Sequence, residues 1–409
     1  MKFYTRSSGL IASKQEKYTT GKTKKRYYWI FIKIYLDKHL HIVTLDVPAP
    51  ADYGGAIDQY YKICWLHKLG VKIHLHCFTK DRQPSEILNQ FCESVQYYPR
   101  KKNLSGFSFT TPYIVESRNV AALLHNLQKD NSPILLEGIH CTHFLQSNQL
   151  NGRKVFIRLH NAEYKYYSQL ARHEKKLFDK LYYTWESYQL KKYEAKLCQH
   201  HSLLALSKTD KADYETELHA NDVQFLPAFV GWEKVTSQNG TGCFCLYHGN
   251  LSINENEEAA VWLLQNVFNK LPVPFVIAGK NPSQRLELLA HQHEHTCLVA
   301  NPSNKEMQDI IAKAQINILP SFNNTGVKLK LLNALYSGRH CIVNKAGVEG
   351  SGLESLCSMA EDADDFITAI NYLYKISFEE AEKDKRTELL AELNNNKKNA
   401  EKIIALIWP

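Results

Sequence analysis

The chain has 409 residues, with 50 Lys+Arg against 42 Asp+Glu and a formal charge of +8. Ten of the bases but only two acids (Glu16 and Asp37) fall in residues 1–40, so the rest of the chain is charge-neutral, which disfavours nucleic-acid binding as the main activity. The 44% apolar, 22% charged composition excludes a disordered or fibrous chain, and no apolar run reaches the ~20 residues that span a bilayer.

Residues 1–40 read as a basic, flexible extension. Within it the apolar stretch 27–36 is about half a bilayer span and is interrupted by Lys33, and it lacks the small-residue cleavage site of a signal peptide. The mixed basic and aromatic residues 22–36 fit either peripheral contact with an anionic membrane surface or a disordered leader.

From His41 short apolar runs alternate with longer amphipathic segments, the pattern of βα units around a parallel sheet. Strands are expected at 41–45, 72–78, 133–136, 155–159 and 203–206, and the Tyr-, Lys- and Leu-rich segment 163–199 reads as helical. Residues 231–242 show neither periodicity, and their Gly, Ser, Asn and Thr content marks a linker. The alternation then resumes, with strands expected at 244–248, 275–278, 297–300, 316–319 and 341–344. Helices are expected near 255–269, 283–291, 305–313 and 327–336, and a charged helical tail over 378–408. The expected organisation is α/β: a Rossmann-like domain over 41–230, the linker 231–242 and a second Rossmann-like domain over 243–409, facing a central cleft.

Ten cysteines lie in mostly apolar segments without a CxxC pair, which predicts buried free thiols in a reducing cytoplasm. Cys243 and Cys245 are expected on one face of a strand, in the core. His291, His293, His295 and Cys297 have a superficial look of metal ligands, but alternate residues on a helix diverge, so no metal site is expected there. Gly347–Gly352 lacks the order of a dinucleotide fingerprint.

In open α/β sheets ligands bind beyond the carboxyl ends of the strands. In the second half those positions hold His248-Gly249-Asn250, Gly279-Lys280-Asn281-Pro282, Asn301-Pro302-Ser303 and Ser321 through Gly326. The last loop leads into an expected helix from Val327, whose free N–H groups and dipole offer an anion site that Gly326 would let a phosphate approach. Lys328 and Lys330, two residues apart on a helix, would point about 200° apart. Lys330 shares a polar stripe with Gly326, Asn333 and Ser337 and is the favoured phosphate partner. In the first half the corresponding loops contain Gly54-Gly55, read as a flexible loop that can approach a ligand, and His160-Asn161-Ala162-Glu163, where His160 would face the cleft.

The second half resembles the donor domain of GT-B glycosyltransferases, in particular the retaining family 4 group, through Tyr247-His248-Gly249-Asn250-Leu251, Phe275 through Lys280, Asn317 through Ser321, and Thr325-Gly326-Val327-Lys328-Leu329-Lys330-Leu331-Leu332-Asn333-Ala334. The first half is similar more loosely, through Gly54-Gly55, Arg158-Leu159-His160-Asn161 and Leu206-Ser207-Lys208. The resemblance implies a GT-B fold and transfer of a sugar from a nucleotide-sugar co-substrate, without a metal or other cofactor, to a glycan or lipid-linked acceptor. The setting expected is the cytoplasm, at the inner face of the membrane, in cell-surface polysaccharide synthesis. It also implies donor contacts from Gly249, Asn250, Lys280, Ser321, Asn324, Thr325, Gly326, Lys328 and Asn333, and acceptor contacts from Gly54, Gly55, Asn161 and Glu163. His160 and Lys330 would be catalytic, and a front-face retaining displacement is suggested. Two glutamates common in the family are replaced here by Thr325 and Asn333. A nucleotide-sugar epimerase of the same fold and a non-catalytic sugar-nucleotide binding protein are the alternatives.

Overall fold

The computed structural model describes residues 38–409 apart from Lys175 and Asn324. Most of the expected extension, including the membrane-contact stretch 22–36, and the donor candidate Asn324 lie outside the described residues.

The first sheet has seven strands: β1 (His39–Thr44), β2 (Lys72–Thr79), β3 (Ser94–Pro99), β4 (Ile134–Glu137), β5 (Val155–Leu159), β6 (Ser202–Ala205) and β7 (Val223–Phe225). They lie in the order β3-β2-β1-β4-β5-β6-β7, all parallel. The second sheet comprises β8 (Cys245–Asn250), β9 (Phe275–Lys280), β10 (Thr296–Ala300), β11 (Ile316–Ile318), β12 (His340–Val343) and β13 (Ser358–Met359), ordered β10-β9-β8-β11-β12-β13. Each sheet begins in its middle and reverses direction once, the doubly wound topology. Central strands such as β5 and β12 are buried along their whole length, as strands covered on both faces must be. The edge strands β3 and β13 mix exposed and half-buried residues, so no apolar run announces them.

Helices cover both sheets. On the first are α1 (Gly54–Lys68), α2 (Ala121–Leu127), α3 (Glu163–His173), α4 (Leu177–Leu197) and α5 (Lys208–Glu217). On the second are α6 (Asn254–Leu263), α7 (Gln284–His291), α8 (Asn304–Lys313), α9 (Leu329–Ser337), α10 (Ala363–Leu373) and α11 (Glu380–Leu393), while the last helix, α12 (Asn396–Ile407), returns to the first domain. The segment 163–199 expected as one helix is a hairpin of two, α3 and α4, because Glu174 and Lys176 are extended (ψ 130° and 122°).

The tail also departs from expectation. Ala400, Ile403 and Ile407 of α12, spaced i, i+3, i+7, pack with Leu40, Ile42, Ile63 and Leu66 of the first domain. Asn396 fixes this return, accepting from the Val230 N–H (3.0 Å) and donating to the Val230 carbonyl (2.7 Å). At ~1.5–3 kcal/mol per buried aliphatic side chain, the tail ties the second domain back to the first. Two cysteines contradict the buried-thiol expectation. Cys297 is exposed, and Cys243 precedes β8 and is exposed while Cys245 is buried, because the strand starts one residue later than the sequence suggests.

Candidate active site

A cleft of about 630 Å³ opens between the two domains. The loop after β1 and the start of α1 supply Asp52, Tyr53 and Gly54, and α3 supplies Tyr166. The opposite wall holds His248, Gly249 and Asn250 from the end of β8, Lys280 from the end of β9, and Lys328, Lys330 and Asn333 from the start of α9. Its position beyond the strand ends is the ligand position of a doubly wound sheet.

Lys330 is held there by two side chains of the second domain. Its Nζ lies 3.0 Å from Asn256 Oδ1 and 3.3 Å from the Tyr247 hydroxyl, over the Tyr247 ring at 5.0 Å. Burial lowers its pKa to about 8, with Lys328 adding to the effect and Glu255 opposing it. Lys328 also lines the cleft, contrary to the expected divergence. α9 starts at Leu329, and Lys328 caps it in an extended conformation (φ −83°, ψ 91°), so the helical angle between the two lysines does not apply. Lys328 Nζ donates to the Thr325 carbonyl (2.9 Å) and lies 4.0 Å from Glu255 Oε1. Burial again lowers its pKa.

Glu255 is a carboxylate in the cleft that the sequence presented merely as an acidic residue near a helix start. Ser321 Oγ donates to it (3.1 Å), as does Asn323 Nδ2 (3.3 Å). Ser321 and Thr325, expected as donor contacts, are buried at 2% and 4% exposure and stand behind the wall. Ser321 positions Glu255, and Thr325 Oγ1 donates to Asn323 Oδ1 (2.8 Å). Gly326 departs from its expected role as a phosphate approach. It has φ +66°, and a Cβ there would clash with Asn161 Oδ1 and lie 2.9 Å from the His160 carbonyl, so its open side is filled by the first domain.

Gly54 and Gly55 are not a flexible loop; they are the first residues of α1. Gly54 lines the cleft, where an added Cβ would meet Leu329 at 3.8 Å, whereas a Cβ on Gly55 would abut the Tyr53 ring. Lys280 reaches across the cleft, its Nζ 2.7 Å from Asp52 Oδ2. Burial alone would raise the Asp52 pKa, but Lys280 and Arg82 outweigh it and hold the carboxyl low. His248 is buried, its pKa pushed down to about 3 by burial and then by Lys330. Its Nε2 has no hydrogen-bond partner among the described residues, although the side chain borders the cleft.

His160 does not line the cavity. Its side chain is 11% exposed, with Nε2 3.1 Å from Glu137 Oε2, in a buried charge network with Asp58, Lys62 and Arg158. Asp58, Glu137 and His160 form the one His/Cys/Asp/Glu group among the described residues close enough to share an ion. The Lys62 ammonium already lies 2.8 Å from both carboxylates, so the protein supplies its own cation. His291, His293, His295 and Cys297 form no such group. Asn161 donates to Glu163 Oε1 (3.4 Å), and burial pushes the Glu163 carboxyl up to about 7.

Residues 243–376 match the family model described as "Glycosyl transferases group 1". A relative described as an uncharacterized 44.6 kDa protein in the cps region of Klebsiella pneumoniae is 26% identical over 363 residues, covering 82% of this chain and 91% of the relative. Among solved structures, the chain is similar to a sucrose-phosphate synthase from Thermosynechococcus elongatus (TM-score 0.66, 12% identity, 90% of this chain and 98% of that one). It is also similar to an α,α-trehalose-phosphate synthase (UDP-forming) from Burkholderia xenovorans (TM-score 0.61, 12% identity, 91% and 100%). At 12% identity these two structures speak for the fold alone, which is GT-B. Together with the family match, the comparisons support a glycosyltransferase.

Proposed function

We propose that the chain transfers a sugar, of the hexose class, from a nucleotide-sugar donor to a glycan or lipid-linked acceptor, without a metal, at the inner face of a membrane in cell-surface polysaccharide synthesis. The observation that carries this reading is the convergence of Lys328 and Lys330 at the start of α9 on the interdomain cleft. The group 1 glycosyltransferase match over 243–376 and the relative's place in a cps region support it.

Glycosyl transfer requires charge to be stabilised on a departing nucleoside diphosphate. Two partly desolvated ammonium groups beside the free N–H groups of a helix start are preorganised for that charge. Lys330, with its pKa lowered to about 8, would be drawn back to the full ammonium by the diphosphate. Asn333, one turn further along α9, would accept a ribose hydroxyl. Glu255, oriented by Ser321 and Asn323, would bring a carboxylate to the donor sugar where the family's loop position holds Thr325 instead. His160, oriented by Glu137, would be engaged by donor or acceptor on domain closure, and the displacement would follow the front-face retaining course.

Incubation with radiolabelled nucleotide sugars and candidate acceptors tests the reading. A transferase releases nucleotide and labels an acceptor. An epimerase changes the sugar without labelling an acceptor, and a binding protein does neither.

A further inference from the structure

We infer that the hairpin of α3 and α4 docks the protein on an anionic lipid bilayer. Leu177, Phe178, Leu181, Tyr182, Trp185 and Tyr188 are all exposed, at 67, 87, 59, 36, 43 and 54%. At 100° per residue these six span an arc of about 140° on α4, a continuous apolar and aromatic stripe. The neighbouring loop extends it with Phe107 and Phe109, exposed at 43% and 77%, which meet edge to face and are tied to α4 where Gln189 donates to the Phe109 carbonyl. Single exposed apolar residues are ordinary, but a contiguous cluster of eight marks an interaction surface.

The hairpin also projects. Ser187 bonds the carbonyl of Tyr164 at the start of α3, and Tyr183 packs on Tyr167. The two helices therefore run antiparallel away from the carboxyl end of β5. Residues Leu190, Tyr193 and Leu197, at the other end of α4, pack on the sheet. The stripe is thus carried on the half of α4 that lies beyond the strand ends, on the cleft side of the domain.

Charge selects the occupant. Residues 163–197 contain eight Lys/Arg and five acids, and three of the acids, Glu163, Glu186 and Glu194, are buried. Arg172, Lys176, Lys180, Lys191, Lys192 and Lys196 are exposed along the hairpin. Lys180 sits beside the stripe, and Lys192 lies over the Tyr188 ring at 4.3 Å. Aliphatic and aromatic side chains flanked by lysines suit the headgroup–acyl boundary of a bilayer with anionic lipids. A second copy of the chain would bring two basic rims together, which opposes self-association through this face. Tyr166 of α3 lines the cleft, so docking would hold the cleft at the lipid surface. That consequence rests on the lipid-linked acceptor reading, whereas the docking itself does not.

Co-sedimentation of the full chain with vesicles of phosphatidylcholine alone, or with a third phosphatidylglycerol, tests the inference. Binding to the anionic vesicles should be at least ten-fold stronger and should weaken with salt. Phe178→Ser with Leu181→Ser should remove at least nine-tenths of it, and Lys180→Glu with Lys192→Glu should abolish the preference for anionic lipid. All four positions are solvent-exposed, so far-UV circular dichroism should be unchanged, and nucleotide release with a water-soluble acceptor should persist. Vesicle binding unaffected by both double variants, or a dimer in sedimentation velocity that Phe178→Ser dissociates while vesicles fail to bind, overturns the inference. Loss of vesicle binding with intact turnover separates this surface from the catalytic reading.

Discussion

Lys280 Nζ lies 2.7 Å from Asp52 Oδ2, joining the end of β9 in the second domain to the loop after β1 in the first. Lys280 is 43% exposed, so the bridge should add less than ~1 kcal/mol to stability. It also occupies a charge at the donor side of the cleft. Asp52→Asn should therefore leave the thermal midpoint nearly unchanged and tighten nucleoside diphosphate binding a few-fold by releasing Lys280, as read by calorimetry. A drop of several kcal/mol in stability would mean that the bridge holds the domains together instead.

Donor affinity should depend on pH through Lys330. In the free protein its pKa is lowered to about 8, and a bound diphosphate raises it, so binding above pH 8 must take up a proton. Affinity should be flat between pH 6 and 7.5 and fall toward ten-fold per unit above pH 8. Lys330→Arg, which stays charged, should flatten the profile. Titrations in buffers of differing ionisation enthalpy report the proton uptake directly.

Three histidines of β1 and β2, His41, His74 and His76, predict acid lability. His39 pairs with His74 (2.8 Å) and His41 with His76 (2.9 Å). Burial lowers the pKa of His41, His74 and His76, His76 to about 3, with neighbouring imidazoles adding to the shift. The unfolded chain binds these protons near pH 6.5 and the folded one resists them. Stability is therefore full above pH 6.5 and falls on acidification, by up to about 1.4 kcal/mol per pH unit from His76, with His41 and His74 adding in the same direction. Urea unfolding at pH 7.5 and 5 should show the loss, and His76→Leu should reduce it.

Arg158→Met should destabilise the protein by about 3–5 kcal/mol, the cost of breaking a buried ion pair from one side. Arg158 is fully buried, with Nη2 3.0 Å from Asp58 Oδ1 and from the Pro227 carbonyl. Asp58 in turn accepts from the Phe229 N–H (2.8 Å). Denaturant unfolding measures the loss; a change below 1 kcal/mol would show the network to be dispensable.

The two-domain fold was legible because buried parallel strands are apolar runs, and the loops after β8 and β9 followed from those runs. What escaped was set by geometry that spacing does not encode. Two residues of difference in where α9 begins, Leu329 rather than Val327, turned Lys328 into the cleft. Glu255 looked like a helix-start acid because its partners Ser321 and Asn323 are distant in sequence. Gly326 read as a phosphate approach because its neighbours Asn161 and His160 come from the other domain. The exposed stripe on α4 lay inside a segment read only as helical, since periodicity shows that residues share a face but not what covers it.

The central claim is that Lys330 holds the donor's diphosphate. Calorimetric titration of Lys330→Ala with nucleoside diphosphates and their sugar conjugates, paired with nucleotide release under saturating acceptor, tests it most directly. At least ten-fold weaker binding and at least hundred-fold slower release are expected, with the fold retained. Unchanged affinity and turnover in a folded variant would contradict the account.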